Sequence, residues 1–283
     1  MKSTKKIISI DKLHPFENHP YKVQDNEEME VLAESIKEHG IVSPVIVRPL
    51  ENTIDEYEII SGHRRVMASR KAGITEVPAL IVSLDRDAAA IVLVDSNLHR
   101  EHILPSEKAF AYKMKLDAMK HQGWRSDLTS PQVVAKSRTT EMVGADTGDS
   151  HEQVRRYIRL TNLIHEILQY VDDGRISFTP AVELSYLNEQ EQQDLLEQIE
   201  QSDCTPSLSQ ACRFKKISQG EGLTPEVIAE IMEEEKANQK ERVKIPTEKL
   251  RKYFPKNYTV QQIEDEIIRL CEKNYRMKQR DAR

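Results

Sequence analysis

Apolar positions in the first hundred residues fall in short runs set apart by turn residues. Ile7, Ile8 and Ile10 alternate as an edge strand does, and Asp11 to Phe16 follows with a proline-marked turn. Val31, Leu32, Ile36 and Gly40 give an amphipathic helix with a glycine stop, and Pro44 to Val47 reads as a strand. Ile59 and Ile60 form a buried strand that stops at Ser61-Gly62, after which helix formers run to a C-cap at Gly73. Val77 to Val82 is a further buried strand. Ala88 to Val94 is a small apolar helix that presents Asp95-Ser96-Asn97 at its end. Strands alternating with short helices predict a compact α/β domain.

The remaining chain reads as helical. Pro105-Ser106-Glu107 opens a helix to about Gln122, with Ala109, Tyr112, Leu116 and Met119 on one face and Gly123 ending it. From 139 to 160 the pattern fits a helix-turn-helix. Gly144 is the small residue that lets two helices approach, Gly148 suits the tight turn, and Val154, Tyr157 and Ile158 face inward. Ser150 is the expected N-cap, with Gln153 as its capping-box partner. That register leaves His151, Gln153, Arg155, Arg156 and Arg159 outward. Residues at the start of a recognition helix reach base edges. Gln153 and Arg156 are therefore assigned to bases, Arg155 and Arg159 to phosphates, and Ser150 and His151 to the same interface. An αα-hairpin with a solvated charged face fits the same pattern.

Leu163 to Val171 continues a helical core to Asp172-Asp173-Gly174. A new helix starts near Ile176-Pro180, and Leu184, Leu187, Leu195, Leu196 and Ile199 extend all-α packing. Thr224-Pro225-Glu226 opens a polar helix that runs into a linker. The last element, Thr259 to Met277, carries Ile263, Ile267, Leu270 and Cys271 in one stripe, a face for its own domain or for a second copy.

Composition adjusts this picture in three ways. No stretch of the 283 residues is long or apolar enough to cross a bilayer, so a soluble, cytoplasmic protein is expected. Cys204, Cys212 and Cys271 lie far from any metal-ligand spacing and are expected as reduced thiols. The net charge of −6 argues weakly against nucleic acid, because the charge is uneven. Glu183 to Asp203 holds seven acids and no Lys or Arg, whereas basic residues dominate beyond Lys236.

The candidate chemistry sits at Ser61-Gly62-His63-Arg64-Arg65. A strand turning through glycine into a helix frees backbone N–H groups at a positive dipole end, and two arginines in the first turn suit an anion such as a phosphate chain. One glycine is far less specific than a full phosphate loop, so arginines merely facing solvent remain an equal reading.

This stretch resembles the second box of ParB-type partition proteins, a Gly-Glu-Arg-Arg core followed by an alanine-containing helix. Gly40-Ile41-Val42-Ser43-Pro44-Val45-Ile46-Val47-Arg48-Pro49 resembles that family's helix-to-strand element. Ser96-Asn97-Leu98-His99-Arg100 followed by Pro105-Ser106-Glu107-Lys108-Ala109 resembles its third box. Asn18 to Val23 stands where the first box falls, with a lysine and a valine in place of its basic ending.

The resemblance implies an α+β fold: a small ParB/sulfiredoxin-like α/β domain over 1–103 and an all-α DNA-binding domain over 104–217. A helical linker over 218–245 and a helical C-terminal segment over 246–283, the latter suited to dimerisation, complete it. It further implies a nucleotide site for CTP with magnesium that includes Ser61, Gly62, His63, Arg64 and Arg65, with Gly62, Arg64 and Arg65 holding phosphates. Asn97 would meet Mg through its side-chain oxygen, and Arg100 would support the pocket.

Implied partners are double-stranded DNA, a second copy as homodimer, and a ParA-like Walker ATPase, with location at the nucleoid. His63 and Ser96 replace family glutamates, which favours binding over hydrolysis and leaves at most a weak CTPase. Sulfiredoxin-type thiol chemistry is excluded because no cysteine precedes Cys204. A transcriptional regulator with a degenerate pocket and a ParB-like phosphotransferase are the alternatives.

Overall fold

The computed structural model describes residues 3–98, 100, 102–121, 140, 142–144, 147–220, 222–234, 253–255 and 258–281. Two units emerge, Met1–Glu233 and Glu234–Arg283. The expected stop at Gly123, most of the first helix of the 139–160 motif, residues 235–245 of the linker and the start of the C-terminal segment lie outside the described residues.

The first unit opens with a five-stranded mixed sheet in the order β1-β5-β3-β4-β2. Its strands are β1 (Ser3–Ser9), β2 (Leu13–His14), β3 (Val45–Pro49), β4 (Tyr57–Ser61) and β5 (Glu76–Val82). β1 runs antiparallel to β5 at the edge, and β3 pairs parallel with β5 and antiparallel with β4. Central strands covered on both faces should be apolar on both faces, and Tyr57, Glu58, Ile59 and Ile60 of β4 are all buried. Glu58 is admitted because Arg48, its cross-strand partner on β3, donates Nε to it at 2.6 Å. Both side chains are about 4% exposed, a paired charge inside the sheet.

Helices α1 (Glu27–His39), α2 (His63–Lys71) and α3 (Arg86–Asp95) flank the strands. Asn26 caps α1 by accepting from the Met29 N–H at 3.2 Å, and Gly40 ends it at φ +70°. That cap fixes the helix phase so that Met29, Ala33 and Ile36 turn inward. Val31, expected on the buried face, is 66% exposed for the same reason.

Among the described residues of this unit the chain continues through α4 (Pro105–His121), α5 (His151–Leu160), α6 (His165–Asp172), α7 (Phe178–Leu184), α8 (Glu189–Ser202), α9 (Leu208–Ser218) and α10 (Pro225–Glu233). One core gathers Leu160, Ile167, Leu184, Leu195, Ile199 and Phe214. A second joins the sheet domain to the helices through Ile60, Leu93, Tyr112 and Val154. Asn188 and Ser207 start α8 and α9 with complete capping boxes.

In the second unit, α11 (Val260–Asp281) buries Ile263 and half-buries Ile267, while Ile268, Leu270, Cys271 and Tyr275 are exposed. No described helix is long and apolar enough to cross a membrane.

Candidate anion pocket and helix-turn-helix

β4 delivers the chain to α2 through Gly62, whose φ of +109° only glycine adopts without strain. The approach is also close: a Cβ there would stand 2.9 Å from Val45 Cγ1. As N-cap, Gly62 offers α2 no side-chain acceptor, so the first N–H groups of the helix stay available to an anion.

A cavity of about 150 Å³ opens at this turn. It is lined by Ser61, Gly62, His63, Arg64, Arg65, Asn97 and Arg100, all seven residues singled out from the sequence. The remaining wall, His19, Tyr21, Lys22 and Val23 with Ser96, was not assigned to the site. The available signal was the Pro20-Tyr21-Lys22 loop standing at the position of the first box.

Each side chain has a definite holder. Arg64 Nη2 donates to Glu28 of α1 at 2.9 Å. Arg65 Nη1 donates to the carbonyls of Ser43 and, at 2.9 Å, Pro44, which pins the turn onto the start of β3. Asn97 is 6% exposed; its Nδ2 donates to Leu93 O at 2.7 Å and to Ser96 Oγ at 3.2 Å, which orients the amide. The Arg100 guanidinium lies 5.5 Å over the Tyr21 ring. Lys22 Nζ reaches Asp172 Oδ2 at 3.1 Å, while its backbone N–H donates to Glu107 at 2.8 Å.

His63 packs its ring 3.9 Å from that of His19 and accepts from the Phe16 N–H at 3.4 Å. Burial, then the fields of His19 and Arg100, bring its pKa down to about 3. Burial likewise lowers that of His19. Both imidazoles are therefore neutral near pH 7, and the positive charge of the cavity rests on Lys22, Arg64, Arg65 and Arg100.

Magnesium usually keeps several waters and takes one or two carboxylates beside phosphate oxygens. Among the described residues, none lining the cavity is a carboxylate, and no group of three or more His, Cys, Asp or Glu forms a metal cluster. Asn97 offers a single amide oxygen. This donor set does not fit a magnesium ion held by the protein.

The second candidate element lies on α5. Ser150 caps it by accepting from the Gln153 N–H at 3.2 Å. Gly144 lets the preceding helical turn press against it: a Cβ on Gly144 would meet Asp149 O at 2.3 Å and Val154 Cγ2 at 2.9 Å. Gly148 makes the intervening turn at φ +73°. Val154 is fully buried, and Tyr157 and Ile158 pack partly buried on the same core.

The outward residues divide. Arg155 is exposed, and His151 and Gln153 are half-buried. Arg156 donates to Thr179 Oγ1 at 3.2 Å and covers the Phe178 ring at 5.1 Å. Arg159 donates to Ser185 O at 2.8 Å and lies 3.8 Å over the Tyr186 ring. The last two arginines are thus tied to α7 and the turn after it.

A mixed-sheet domain with a cationic strand-to-helix turn, set ahead of a helix-turn-helix, is the architecture that the chain presents. Residues 1–98 match the ParB N-terminal domain and residues 132–211 the ParB HTH domain, and the chain belongs to the ParB family.

It is 31% identical over 196 residues to the nucleoid occlusion protein of Listeria innocua serovar 6a, spanning 69% of this chain and 62% of the relative. It is 35% identical over 175 residues to the probable chromosome 1-partitioning protein ParB of Deinococcus radiodurans, spanning 62% of this chain and 53% of the relative. The chain thus covers about three fifths or less of these curated relatives.

The C-terminally truncated chromosome-partitioning protein ParB from Caulobacter crescentus aligns in two crystal structures. Complexed to the centromeric parS site, it is 21% identical with a TM-score of 0.43, over 80% of this chain and 98% of that one. Complexed with CTP-gamma-S, it is 25% identical with a TM-score of 0.33, over 69% of this chain and 98% of that one.

Proposed function

We propose that this chain is a sequence-specific DNA-binding protein acting in partition or maintenance of a plasmid, chromosome or mobile element, gated by a nucleoside triphosphate. The observation that supports the gate is the convergence of Gly62, Arg64, Arg65, Asn97 and Arg100 on one small cavity at an uncapped helix start. The cavity volume of about 150 Å³ suits the phosphate end of the ligand, because whole small-molecule pockets begin near ~300 Å³. The family resemblance names CTP as the nucleotide. α5 then enters the major groove, with Arg155 on phosphate and Gln153 at a base edge, while Ser150 sets the helix start. Arg156 and Arg159 join the DNA by exchanging their contacts to α7 for phosphate or base.

The same reading includes a homodimer through α11, a Walker-type ATPase partner, and a cytoplasmic, nucleoid-associated protein. The names of the relatives divide between nucleoid occlusion and chromosome partitioning, and both are DNA roles that support this reading. Genomic footprinting of the full chain decides between them: one cluster of sites beside a replication origin or plasmid locus favours partition, and sites scattered along a chromosome favour occlusion. Calorimetric titration with the four ribonucleoside triphosphates tests the gate. Loss of CTP binding in Arg64→Ala is the expected result.

The second reading is a transcriptional regulator whose pocket takes no nucleotide. It is favoured by the engagement of Arg64 with Glu28 and of Arg65 with the Ser43 and Pro44 carbonyls. Absence of heat with all four triphosphates would leave it ahead. A phosphotransferase is disfavoured because no described lining residue supplies a carboxylate base.

A further inference from the structure

We propose that the pocket takes its triphosphate as the metal-free anion, and that magnesium ion competes with the protein for the ligand instead of bridging them. The inference rests on the triphosphate reading above and concerns the form in which that ligand is bound.

The argument begins with charge. Four cationic side chains, Lys22, Arg64, Arg65 and Arg100, line a cavity that also receives the N-terminal end of α2. The two histidines on the wall are packed against each other, ring to ring at 3.9 Å, and add no compensating negative charge. The oxygens offered by described lining residues are neutral: the Ser61 and Ser96 hydroxyls, the Tyr21 phenol and the Asn97 amide. A divalent cation placed here would gain one or two neutral ligands while facing several like charges at short range. A fully charged phosphate chain gains from the same field, and charge-assisted donation from arginine does the neutralising that a metal would otherwise do.

Two acids paired with cavity cations support this assignment, while Glu107 is occupied by the Lys22 N–H at 2.8 Å and Asp95 by Lys115 at 2.6 Å. Glu28 meets Arg64 at 2.9 Å from an α1 position whose side chain is 72% exposed. Asp172 meets Lys22 at 3.1 Å and is already held by the Ser106 N–H at 2.9 Å and hydroxyl at 2.6 Å. Neither lines the cavity. Both act as placeholders for the anion on its cations, so an incoming phosphate replaces a carboxylate on Arg64 and Lys22, with no metal needed to screen the two. Asn97, with its Nδ2 committed to Leu93 O and Ser96 Oγ, has only its neutral amide oxygen left to offer, one weak ligand at most.

In solution, magnesium binds a free triphosphate and lowers its charge. A pocket that selects the metal-free form must therefore lose apparent affinity as magnesium is added. The test is calorimetric titration of the full chain with CTP, and with inorganic tripolyphosphate as a probe without a nucleoside. Each is run once in EDTA and once in millimolar magnesium chloride at matched ionic strength.

The expected result is binding in EDTA that weakens on the order of tenfold in magnesium. Arg100→Ala should weaken binding in EDTA, and Glu28→Gln should strengthen it by releasing Arg64, with circular dichroism confirming that both variants fold. Binding that appears or tightens only with magnesium overturns the inference and leaves the triphosphate reading standing. No heat from either probe in either buffer removes the triphosphate reading itself.

Discussion

The imidazole of His63 lies against that of His19 with ring centroids 3.9 Å apart, and the His63 ring also accepts the Phe16 N–H. This tilted ring pair, with 48° between the planes, thus joins the first turn of α2 to the loop that walls the anion cavity. Burial is the main cause of the low pKa of His63, about 3, with His19 and Arg100 adding to it.

The sign of the resulting pH dependence is set by that depression. In the unfolded chain the group titrates near 6.5, so above this pH both states are neutral and the full stability is present. As pH falls below 6.5 the unfolded chain takes up a proton that the folded chain refuses, and stability is lost down to about pH 3. The slope from this residue approaches about 1.4 kcal/mol per pH unit. Urea midpoints measured from neutral pH to about pH 5 should fall in the native protein and fall less steeply in His63→Gln. Equal slopes would contradict the assignment.

Gly144→Ala drives a methyl into the Asp149 carbonyl and Val154, at 2.3 and 2.9 Å. Because one of those atoms is backbone, relief requires α5 to shift. A loss of about 1–3 kcal/mol or more is expected by denaturant unfolding, together with loss of DNA binding. A stable variant with native DNA affinity would show that the two helical segments are not closely packed in solution.

Arg48→Met leaves Glu58, about 4% exposed, without its guanidinium, while the Glu17 N–H still donates to it at 3.1 Å. Removing one partner of a buried pair costs about 3–5 kcal/mol. The double variant Arg48→Met/Glu58→Leu should recover a large part of that loss in the same urea experiment, since no uncompensated charge is left. Because Glu58 also holds Glu17 at the head of the cavity-wall loop, triphosphate affinity should fall in the single variant.

Arg155 and Arg159 share a helix and differ in their attachments. Arg155 is exposed, so Arg155→Ala should leave the unfolding midpoint unchanged, lower DNA affinity, and reduce the salt dependence by about one counterion. Arg159 bonds Ser185 O at 2.8 Å and covers Tyr186, so Arg159→Ala should cost about 1–2 kcal/mol of stability before DNA is added. Urea unfolding and fluorescence anisotropy on the same preparations separate the two effects.

Local rules made much of this legible in the chain itself. The turn at Ser61-Gly62, the Ser150 cap, the small residue Gly144 and the long helix from Pro105 each depend on neighbours within a few positions, and residue type alone announces them. The motif order also brought Asn97 and Arg100 to the same cavity as Arg64.

Tertiary packing decided the rest, because the partners are far apart in sequence. Which loop closes over the cavity depends on Lys22 meeting Glu107 and Asp172, contacts across 85 and 150 positions. Whether Glu58 could be buried depended on the register that set it beside Arg48. Whether a basic helix face stands free depended on α7 arriving beneath Arg156 and Arg159. Sequence periodicity records which side of an element avoids water; it does not record what comes to cover the other side, and here that covering wall sets the charge and shape of the pocket.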